Sequence, residues 1–349
     1  MRYIGLSSII KNEFSALFTL RVFRLYTTSK FDILIFIEAT SISIMDLFSD
    51  LKKAKRGAIA KAITIFENDE KESRKLIKKI FKKSGKSVII GITGSAGVGK
   101  SSLIDKTSIQ LKKLGMKPAV LAIDPTSHIS GGAILGDRVR MTESTDSGTY
   151  IRSIASRGAT GAVSRSIRNS IRVLEYAGFD PIIIESVGAG QTEIEISNIA
   201  DITIVMFNPH TGDSIQTIKA GITEIGDIYI VNKSDLDGAS QLFQSVQNFI
   251  GTVEKNPLIL KMSSKTGNGV PEFITILKKL MTEKKKDKKL SEKQKLAMEL
   301  DDIVLSNINK KVAAILLSSK SYSEYLKKVQ AKKIDPFEAA DNISKSILK

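Results

Sequence analysis

Cysteine and tryptophan are absent from the 349-residue chain, and histidine occurs only at His128 and His210. The lack of cysteine excludes a disulfide framework and any thiolate metal site. With two imidazoles available, a transition-metal site would have few nitrogen ligands, so a zinc or nickel protein is not expected. The 42% share of hydrophobic residues and a mean hydropathy of −0.01 predict one main folded core with appended elements.

The formal net charge of +16 is carried by the two flanks of the chain. Residues 51–86 contain 13 basic and 4 acidic side chains and residues 276–349 contain 18 and 10, whereas residues 87–275 contain 17 and 18. Both flanks have apolar residues at helical spacing, so solvated helix faces are the favoured interpretation. The alternative is a surface for phosphate backbones or an acidic partner, but we expect neither nucleic acid nor a membrane as partner.

The first 44 residues differ in composition from the rest. Their apolar run "FDILIFIEATSISIM" is interrupted by Glu38 and is shorter than the roughly 20 residues that a membrane-spanning helix needs. The segment is poor in acids and rich in serine and threonine, as in an organellar transit sequence, and it lacks a secretory pattern. We favour translation from Met45 and expect a cytoplasmic protein.

Between residues 87 and 275, short β-branched runs alternate with amphipathic stretches. The runs predict strands buried on both faces, because polar residues hardly alternate with apolar ones in them. They are "SVIIGIT" (87–93), "PAVLAI" (118–123), "IIIE" (182–185), "ITIVMF" (202–207), "IYIVN" (228–232) and "LILKM" (258–262). The predicted helices are 100–114, 161–177, 214–224 and 239–250. This alternation predicts an α/β fold with a doubly wound, mostly parallel sheet.

Helical extensions are predicted on both sides of this core. Residues 47–81 have helical apolar spacing, broken by "NDEKE" into two helices. After Met281, the run "TEKKKDKKLSEKQK" is too charged to enter a core. The following "LAMELDDIVLSNINKKVAAILLSS" has a helical apolar stripe that suits an interface between subunits.

The segment "GSAGVGKSS" follows the first predicted strand and opens a helix. It fits the pattern G-x-x-x-x-G-K-[ST], which is typical of a phosphate-binding loop in this strand-to-helix context. The backbone N–H groups of such a loop surround a β-phosphate, the lysine reaches the β- and γ-phosphate oxygens, and the serine hydroxyl ligates Mg²⁺. The predicted nucleotide-binding residues of this loop are Gly94, Ser95, Ala96, Gly97, Val98, Gly99, Lys100, Ser101 and Ser102.

Two later segments predict which base is bound. In "VNKSD" (231–235) the pattern N-K-x-D places Asp235 where a carboxylate accepts from both N1–H and the amino group of guanine, a pair of donors that adenine lacks. In "KMSSKTGNG" (261–269), Ser264 replaces the alanine of the usual S-A-K guanine loop, and its backbone N–H is expected to meet guanine O6. The sequence therefore predicts a GTP site. The predicted base-site residues are Asn232, Lys233, Asp235, Ser263, Ser264 and Lys265.

Three acidic residues are predicted to lie near the Mg²⁺ of bound GTP. Carboxylates repel phosphates, so Asp124, Asp137 and Glu185 would act through Mg²⁺ or its waters. In the turn after Glu185, the Gly188 N–H can meet the γ-phosphate, while Gln191 either orients the attacking water or makes a conformational contact. The predicted catalytic residues are Lys100, Asp124, Asp137, Glu185, Gly188 and Gln191, and the predicted metal ligands are Ser101, Asp124, Asp137 and Glu185.

Arginines crowd the same predicted loops, at Arg138, Arg140, Arg152 and Arg157. One of them could contact the γ-phosphate. Ion pairing with Asp137, Glu143 or a partner subunit is the favoured interpretation, because guanidinium groups pair readily with carboxylates.

Several of these segments together resemble one known family. They are "GITGSAGVGKSSLID", "AIDPTSHISGGAILGDRVRM", "IRSIASRGATGAVSRS", "IESVGAGQTE", "NPHTGDSIQTIKAGITEIGD" and "VNKSD". The chain resembles the SIMIBI-class P-loop GTPases that act as chaperones of adenosylcobalamin-dependent methylmalonyl-CoA mutase, also known as LAO/AO transport system ATPases. The resemblance covers residues 46–349, and the combination of D-P-[ST]-S, L-G-D-[RK]-x-R-M and E-[ST]-V-G-x-G-Q is specific to this family.

The resemblance implies a homodimeric, Mg²⁺-dependent GTPase that gates cofactor loading and offloading and protects the mutase. It implies a division into an extension (1–44), N-terminal helices (45–86), a P-loop GTPase domain (87–282) and a C-terminal helical dimerisation arm (283–349). The segment "HTGDSIQTIK" (210–219), with Asp213, Gln216 and Lys219, matches a mobile switch that signals to the mutase. The run "NPHTGD" is less Gly-rich than is usual for this switch.

Two other classes of function would account for parts of the sequence. A related dimeric GTPase that delivers nickel or cobalt is the alternative, although such proteins usually carry Cys and His ligands. A nucleic-acid or membrane-surface module would use the basic flanks but would not explain a complete guanine site. No amino-acid pocket or second catalytic base is predicted that would support a kinase or transport function.

Overall fold

A parallel sheet forms the centre of the computed structural model, which describes residues 44–124, 141, 145–155, 162–186, 191–210, 224–250 and 257–347. Its strands are β1 (Ile89–Gly94), β2 (Ala119–Asp124), β3 (Tyr150–Ala155), β4 (Ile182–Glu185), β5 (Ile202–Phe207), β6 (Ile228–Val231) and β7 (Leu258–Lys261). They pair in parallel in the order β3-β2-β4-β1-β5-β6-β7. This is the predicted doubly wound P-loop NTPase fold. The first 43 residues lie outside the described ranges.

The strand predictions are confirmed with two corrections. β4 and β5 have the predicted bounds, and the other predicted strands are shifted or shortened by one or two residues at their ends. β3 was not predicted, although it pairs with β2 along its whole length. β7 was expected to be buried on both faces, but Leu258 and Lys261 are exposed because β7 is the edge strand.

Helices cover both faces of the sheet. They are α1 (Ile44–Lys52), α2 (Arg56–Asn68), α3 (Glu70–Ile80), α4 (Lys100–Lys113), α5 (Ala162–Tyr176), α6 (Gln191–Ile199), α7 (Ala239–Ile250), α8 (Val270–Lys286), α9 (Lys288–Ser318), α10 (Lys320–Gln330) and α11 (Pro336–Ile347). The predicted helices 100–114, 161–177 and 239–250 correspond to α4, α5 and α7, whereas 214–223 fall outside the described residues. α6 was not predicted, and residues 44–80 form three helices, α1–α3, where two were expected over 47–81.

Alternate side chains of each strand enter cores on opposite faces. On one face, α1–α3, α5 and α6 pack on β1–β4, and α7 packs on β5 and β6. On the other face, α4 and α8 cover the centre of the sheet. At the middle of β1, Ile90 and Ile92 are fully buried, and a Cβ at Gly91 would lie 2.6 Å from the Ile196 side chain of α6. The glycine therefore lets α6 lie close against β1.

The start of α9 docks on the sheet domain through buried charges. Arg172 of α5 forms a bidentate ion pair with Glu299 at 2.7 and 2.5 Å. Lys295 lies 2.5 Å from Asp201, which also accepts the N–H of Ile89 at the start of β1. Burial lowers the pKa of Lys295, and the neighbouring Asp201 opposes that shift. The run "TEKKKDKKLSEKQK" was expected to stay outside a core, and none of its described residues is buried. Lys295 is only partly exposed, because Asp201 is its partner.

The carboxyl ends of the neighbouring strands β2, β4 and β1 lie at the same end of the sheet. β1 connects forward to β2 across β4, and β4 connects to β5 across β1, so the strand order reverses there. A reversal of this kind opens a crevice beyond the strand ends, where α/β proteins bind ligands. No helix in the described ranges combines the length and apolar character that crossing a bilayer requires.

Candidate nucleotide-binding site

The loop between β1 and α4 has the backbone form that a phosphate-binding loop needs. Gly94 ends β1 with a φ of 143°, and Gly99 precedes α4 with a φ of 101°, values that favour glycine. A Cβ at Gly94 would lie 2.4 Å from the carbonyl oxygen of Met206, and one at Gly99 would lie 2.4 Å from Asn232 Nδ2. The loop therefore packs against β5 and the β6 end without room for side chains at these two positions.

Lys100 closes this loop from the helix side. Its Nζ donates to the carbonyl oxygens of Gly94 at 2.7 Å and Ser95 at 3.0 Å, and the residue is 6% exposed. The cation thus lies across the loop, next to the N-terminus of α4. Both features attract the anionic oxygens of a phosphate chain. Ala96, Gly97 and Ser102 are exposed at the same end of α4, and Val98 is buried beneath the loop.

Glu185 stands at the crevice as the last residue of β4 and is 5% exposed. Strand register places it beside Ile92 of β1 and Ala122 of β2. Ser101 Oγ donates to Glu185 Oε1 at 2.8 Å, which joins the start of α4 to the end of β4. This donor helps to stabilise the buried carboxylate at the end of an apolar strand.

The oxygens of Ser101 and Glu185 fit a Mg²⁺ site. Mg²⁺ prefers hard oxygen ligands and usually retains several waters, so a hydroxyl and a nearby carboxylate beside the phosphates suit it. Ala122 of β2 pairs with Glu185, and β2 ends two residues later at Asp124. The backbone of Asp124 therefore lies at the same end of the sheet as Glu185. The side chain of Asp124 and all of Asp137 and Gly188 lie outside the described part of the chain, so their roles stay predictions.

Asn232 connects the phosphate loop to the loop after β7. Its side chain is buried, with Nδ2 donating to Val98 O at 2.8 Å, and its Oδ1 accepts from Ser264 N at 2.9 Å and Ser264 Oγ at 3.0 Å. The Asn232 N–H donates to Phe207 O at 2.8 Å. The Asn232 side chain therefore fixes the predicted phosphate-binding loop relative to the predicted base-binding loop. The sequence pattern did not indicate this role.

Asp235 is exposed in the loop after β6. The side-chain hydrogen bond from Ser263, followed by the residue's own backbone N–H, holds the pKa of its carboxyl below the ordinary value, and Lys265 and Lys233 add favourable charge. The carboxylate is therefore ionised at neutral pH, as an acceptor for two guanine donors requires. Lys233 adopts a φ of 56°, which turns the chain sharply between Asn232 and Asp235.

Other predicted residues lie at the margin of this site or outside the described residues. Gln191 is the first residue of α6, and residues 187–190 before it lie outside the described ranges. Arg152 forms an ion pair, as favoured, but with Glu67 of α2 at 3.1 Å. Arg138, Arg140, Arg157, Asp213, Gln216 and Lys219 fall outside the described ranges.

Together the described groups can bind a nucleoside triphosphate by its two ends. The loop 94–101 offers N–H groups, a helix N-terminus and Lys100 to phosphates, while Asp235 offers a carboxylate to a base. Asn232 links the two ends. An arrangement of this kind positions and neutralises the phosphates, which is most of what phosphoryl transfer to water demands of a protein.

Comparison with known proteins agrees with this geometry. A family model described as "Methylmalonyl Co-A mutase-associated GTPase MeaB" matches residues 59–316. A curated protein of Pyrococcus horikoshii, named as a GTPase, is 38% identical over 315 residues, covering 87% of this chain and 98% of its own length. The "Methylmalonic aciduria type A homolog, mitochondrial" of Caenorhabditis elegans is 39% identical over 211 residues, covering 56% of this chain and 53% of its own.

A solved structure has the same fold. The crystal structure of an LAO/AO transport system kinase superposes with a TM-score of 0.65, covering 87% of this chain and 97% of that chain at 22% sequence identity. At this identity the superposition supports the shared architecture of the sheet and its helices.

Proposed function

The chain belongs to the family of methylmalonyl-CoA mutase-associated GTPases, and from that premise we propose that it is a GTP-dependent chaperone of such a mutase. In this function, GTP binding and hydrolysis gate the loading and offloading of adenosylcobalamin and protect the mutase from inactivation. The observation that carries the proposal is the family match over residues 59–316, which spans the nucleotide site and most of α9. The chain hydrolyses GTP as the enzymes of this family do.

The hydrolytic step uses groups that the chain holds in place. Lys100 and the N–H groups of loop 94–101 bind and orient the phosphates, and Asp235 orients the guanine. Ser101 and Glu185 would hold Mg²⁺, which supplies charge neutralisation on the β- and γ-phosphate oxygens when bound. Burial of Glu185 and Lys100 keeps their charges in a low-dielectric setting, where they act strongly.

A continuous connection supports nucleotide-dependent signalling. Ser101 bonds to Glu185, the chain then passes through residues 187–190, and α6 begins at Gln191. At its other end α6 leads to Asp201, which holds Lys295 of α9. We propose that a change at the Mg²⁺ site is passed along this connection to α6 and α9.

The mutase proposal predicts association that depends on the nucleotide. We expect the purified chain to bind the methylmalonyl-CoA mutase of its own organism with an affinity that differs at least about fivefold between GDP and a non-hydrolysable GTP analogue, the lower end of typical allosteric coupling. Titration calorimetry with each nucleotide measures it. The control is Lys100→Ala, which should lose the nucleotide dependence. Equal affinity in all nucleotide states, or no binding, would refute the chaperone function while leaving GTP hydrolysis intact.

Dimerisation through the C-terminal helices is part of the same proposal. Large apolar side chains along α9–α11 are exposed in the single chain: Leu296, Met298, Leu300, Val304, Leu305, Ile308, Ile315, Leu317, Tyr322, Leu326 and Phe337. A surface this apolar is unusual for a monomer and suits a second copy of the chain. The alternative of nickel or cobalt delivery gains no support from a chain without cysteine.

The dimer proposal predicts the effect of charges on this face. Val304 and Ile308 lie one turn apart on α9, so the double substitution Val304→Glu and Ile308→Glu should shift the protein from dimer to monomer in light scattering. The double substitution Ser306→Glu and Asn309→Glu is the matched control, because it adds the same charge at positions about 160° and 140° away from Val304 around the helix. A wild-type protein that is monomeric at micromolar concentration would overturn the proposal.

A further inference from the structure

Ser264 occupies the position at which the usual guanine loop has alanine, and its hydroxyl makes a hydrogen bond that alanine could not make. The residue is 3% exposed, and both its backbone N–H and its Oγ are within 3.0 Å of the same atom, Asn232 Oδ1. The other end of the Asn232 amide donates to Val98 O in the phosphate loop. Ser264 therefore holds the side chain that joins the base site to the phosphate site.

The backbone N–H of Ser264 has two acceptors competing for it. In the structure it donates to Asn232 Oδ1 at 2.9 Å. The same N–H is the donor expected to meet O6 of guanine. A single N–H directed at one acceptor bonds the other poorly, because hydrogen-bond strength falls steeply with angle. Guanine binding would thus draw the N–H away from Asn232.

Loss of that N–H matters because Asn232 is 1% exposed. A buried amide oxygen without a donor costs more than a typical hydrogen bond contributes. The Ser264 hydroxyl is free to rotate about its C–O bond and already lies 3.0 Å from the same oxygen. An alanine at this position would provide no such second donor.

We propose that the Ser264 hydroxyl is a positioning group that keeps Asn232 hydrogen-bonded while the Ser264 N–H transfers to guanine O6. Asn232 then holds the phosphate loop through Val98 in the nucleotide-bound protein as it does in the structure. An alanine at this position could not supply this exchange, because it has no side-chain donor. The inference rests on the proposed guanine site, and Asp235→Asn tests that site separately.

The substitution Ser264→Ala should weaken GDP binding about tenfold, in the range expected when a buried acceptor loses its donor. Ser264→Thr retains the hydroxyl and should stay within about threefold of wild type. Without nucleotide, the Tm of Ser264→Ala should match that of wild type, because the backbone N–H still serves Asn232. Fluorescence titration with labelled GDP and a thermal melt without nucleotide measure these values.

A nucleotide with a modified base can show whether the Ser264 hydroxyl acts during guanine binding or only stabilises the loop. 6-Thio-GDP keeps the N1–H and amino donors but replaces O6 by sulfur, a weaker acceptor, so the N–H should remain with Asn232. The Ser264→Ala penalty should then fall below about threefold. Wild-type GDP affinity in Ser264→Ala would overturn the proposal. So would equal loss for GDP and 6-thio-GDP accompanied by a lower Tm without nucleotide.

Discussion

Replacing Glu185 by alanine is expected to lower kcat for GTP hydrolysis about 100-fold and to change the Kd for GDP by no more than about threefold. The carboxylate is buried at the end of β4 and accepts the Ser101 hydroxyl at 2.8 Å. Its proposed role is to hold the Mg²⁺ that neutralises charge as the γ-phosphate leaves, and GDP lacks that phosphate. Single-turnover hydrolysis over a range of Mg²⁺ concentrations, together with GDP titration, measures both quantities.

Glu185→Gln is the matched variant, because the amide keeps an acceptor for Ser101 but removes the negative charge. It should show nearly the same loss of kcat as Glu185→Ala and a Tm closer to wild type. If the glutamine variant hydrolyses GTP normally, the negative charge has no role at the metal. Equal losses of hydrolysis and GDP affinity in the alanine variant would indicate that Glu185 supports the loop structure instead.

Asp235→Asn is expected to exchange guanine for xanthine as the preferred base. The value of kcat/KM should fall about 100-fold for GTP and rise to a comparable degree for xanthosine triphosphate, because an amide can donate to the xanthine O2 where the carboxylate accepted from the guanine amino group. The ionised state that Ser263 favours at Asp235 makes the wild-type carboxylate a full acceptor. Competition kinetics with GTP, ATP and xanthosine triphosphate measure the ratio.

Asp237 provides the control for this experiment. It is an exposed carboxylate two residues along the same loop, so Asp237→Asn changes the net charge equally without altering the proposed base contact. Its base preference should equal that of wild type. If Asp235→Asn also leaves the preference for GTP unchanged, or if the wild type uses ATP as well as GTP, the guanine assignment is wrong.

The sequence predicted the sheet well where the strands are buried. β4 is apolar up to its last residue, Glu185, and β5 contains a single polar residue, Thr203, because both faces of each strand are covered. β3 was missed because two adjacent polar residues, Arg152 and Ser153, interrupt its apolar residues, and it lies at a sheet edge. β7 was found, but its exposure depends on its position at the opposite edge. Strand order and edge positions arise from tertiary packing and leave little trace in local patterns.

The candidate site was predictable where chemistry demands particular residue types in a fixed order. The glycines, Lys100 and Ser101 follow from the needs of a phosphate, and Asp235 follows from the needs of guanine. Ser101 and Glu185 are 84 positions apart in the sequence, so their spacing along the chain does not reveal that their side chains are in contact. The exchange proposed at Ser264 depends on two donors meeting one oxygen, a geometry that only three-dimensional structure can provide.

The charges that dock α9 make the C-terminal helices part of the sheet domain. Glu299 and Lys295 lie on α9, while their partners Arg172 and Asp201 lie on the sheet domain. A chain shortened to end at Asp287 would lose both ion pairs and the helix surface that shields them, so Arg172 and Asp201 would be exposed to water. Asp201 also holds the first N–H of β1, the strand that carries the phosphate loop. Removing α9–α11 would therefore change the surroundings of β1 as well as the proposed dimer face, and such a truncation would not test assembly alone.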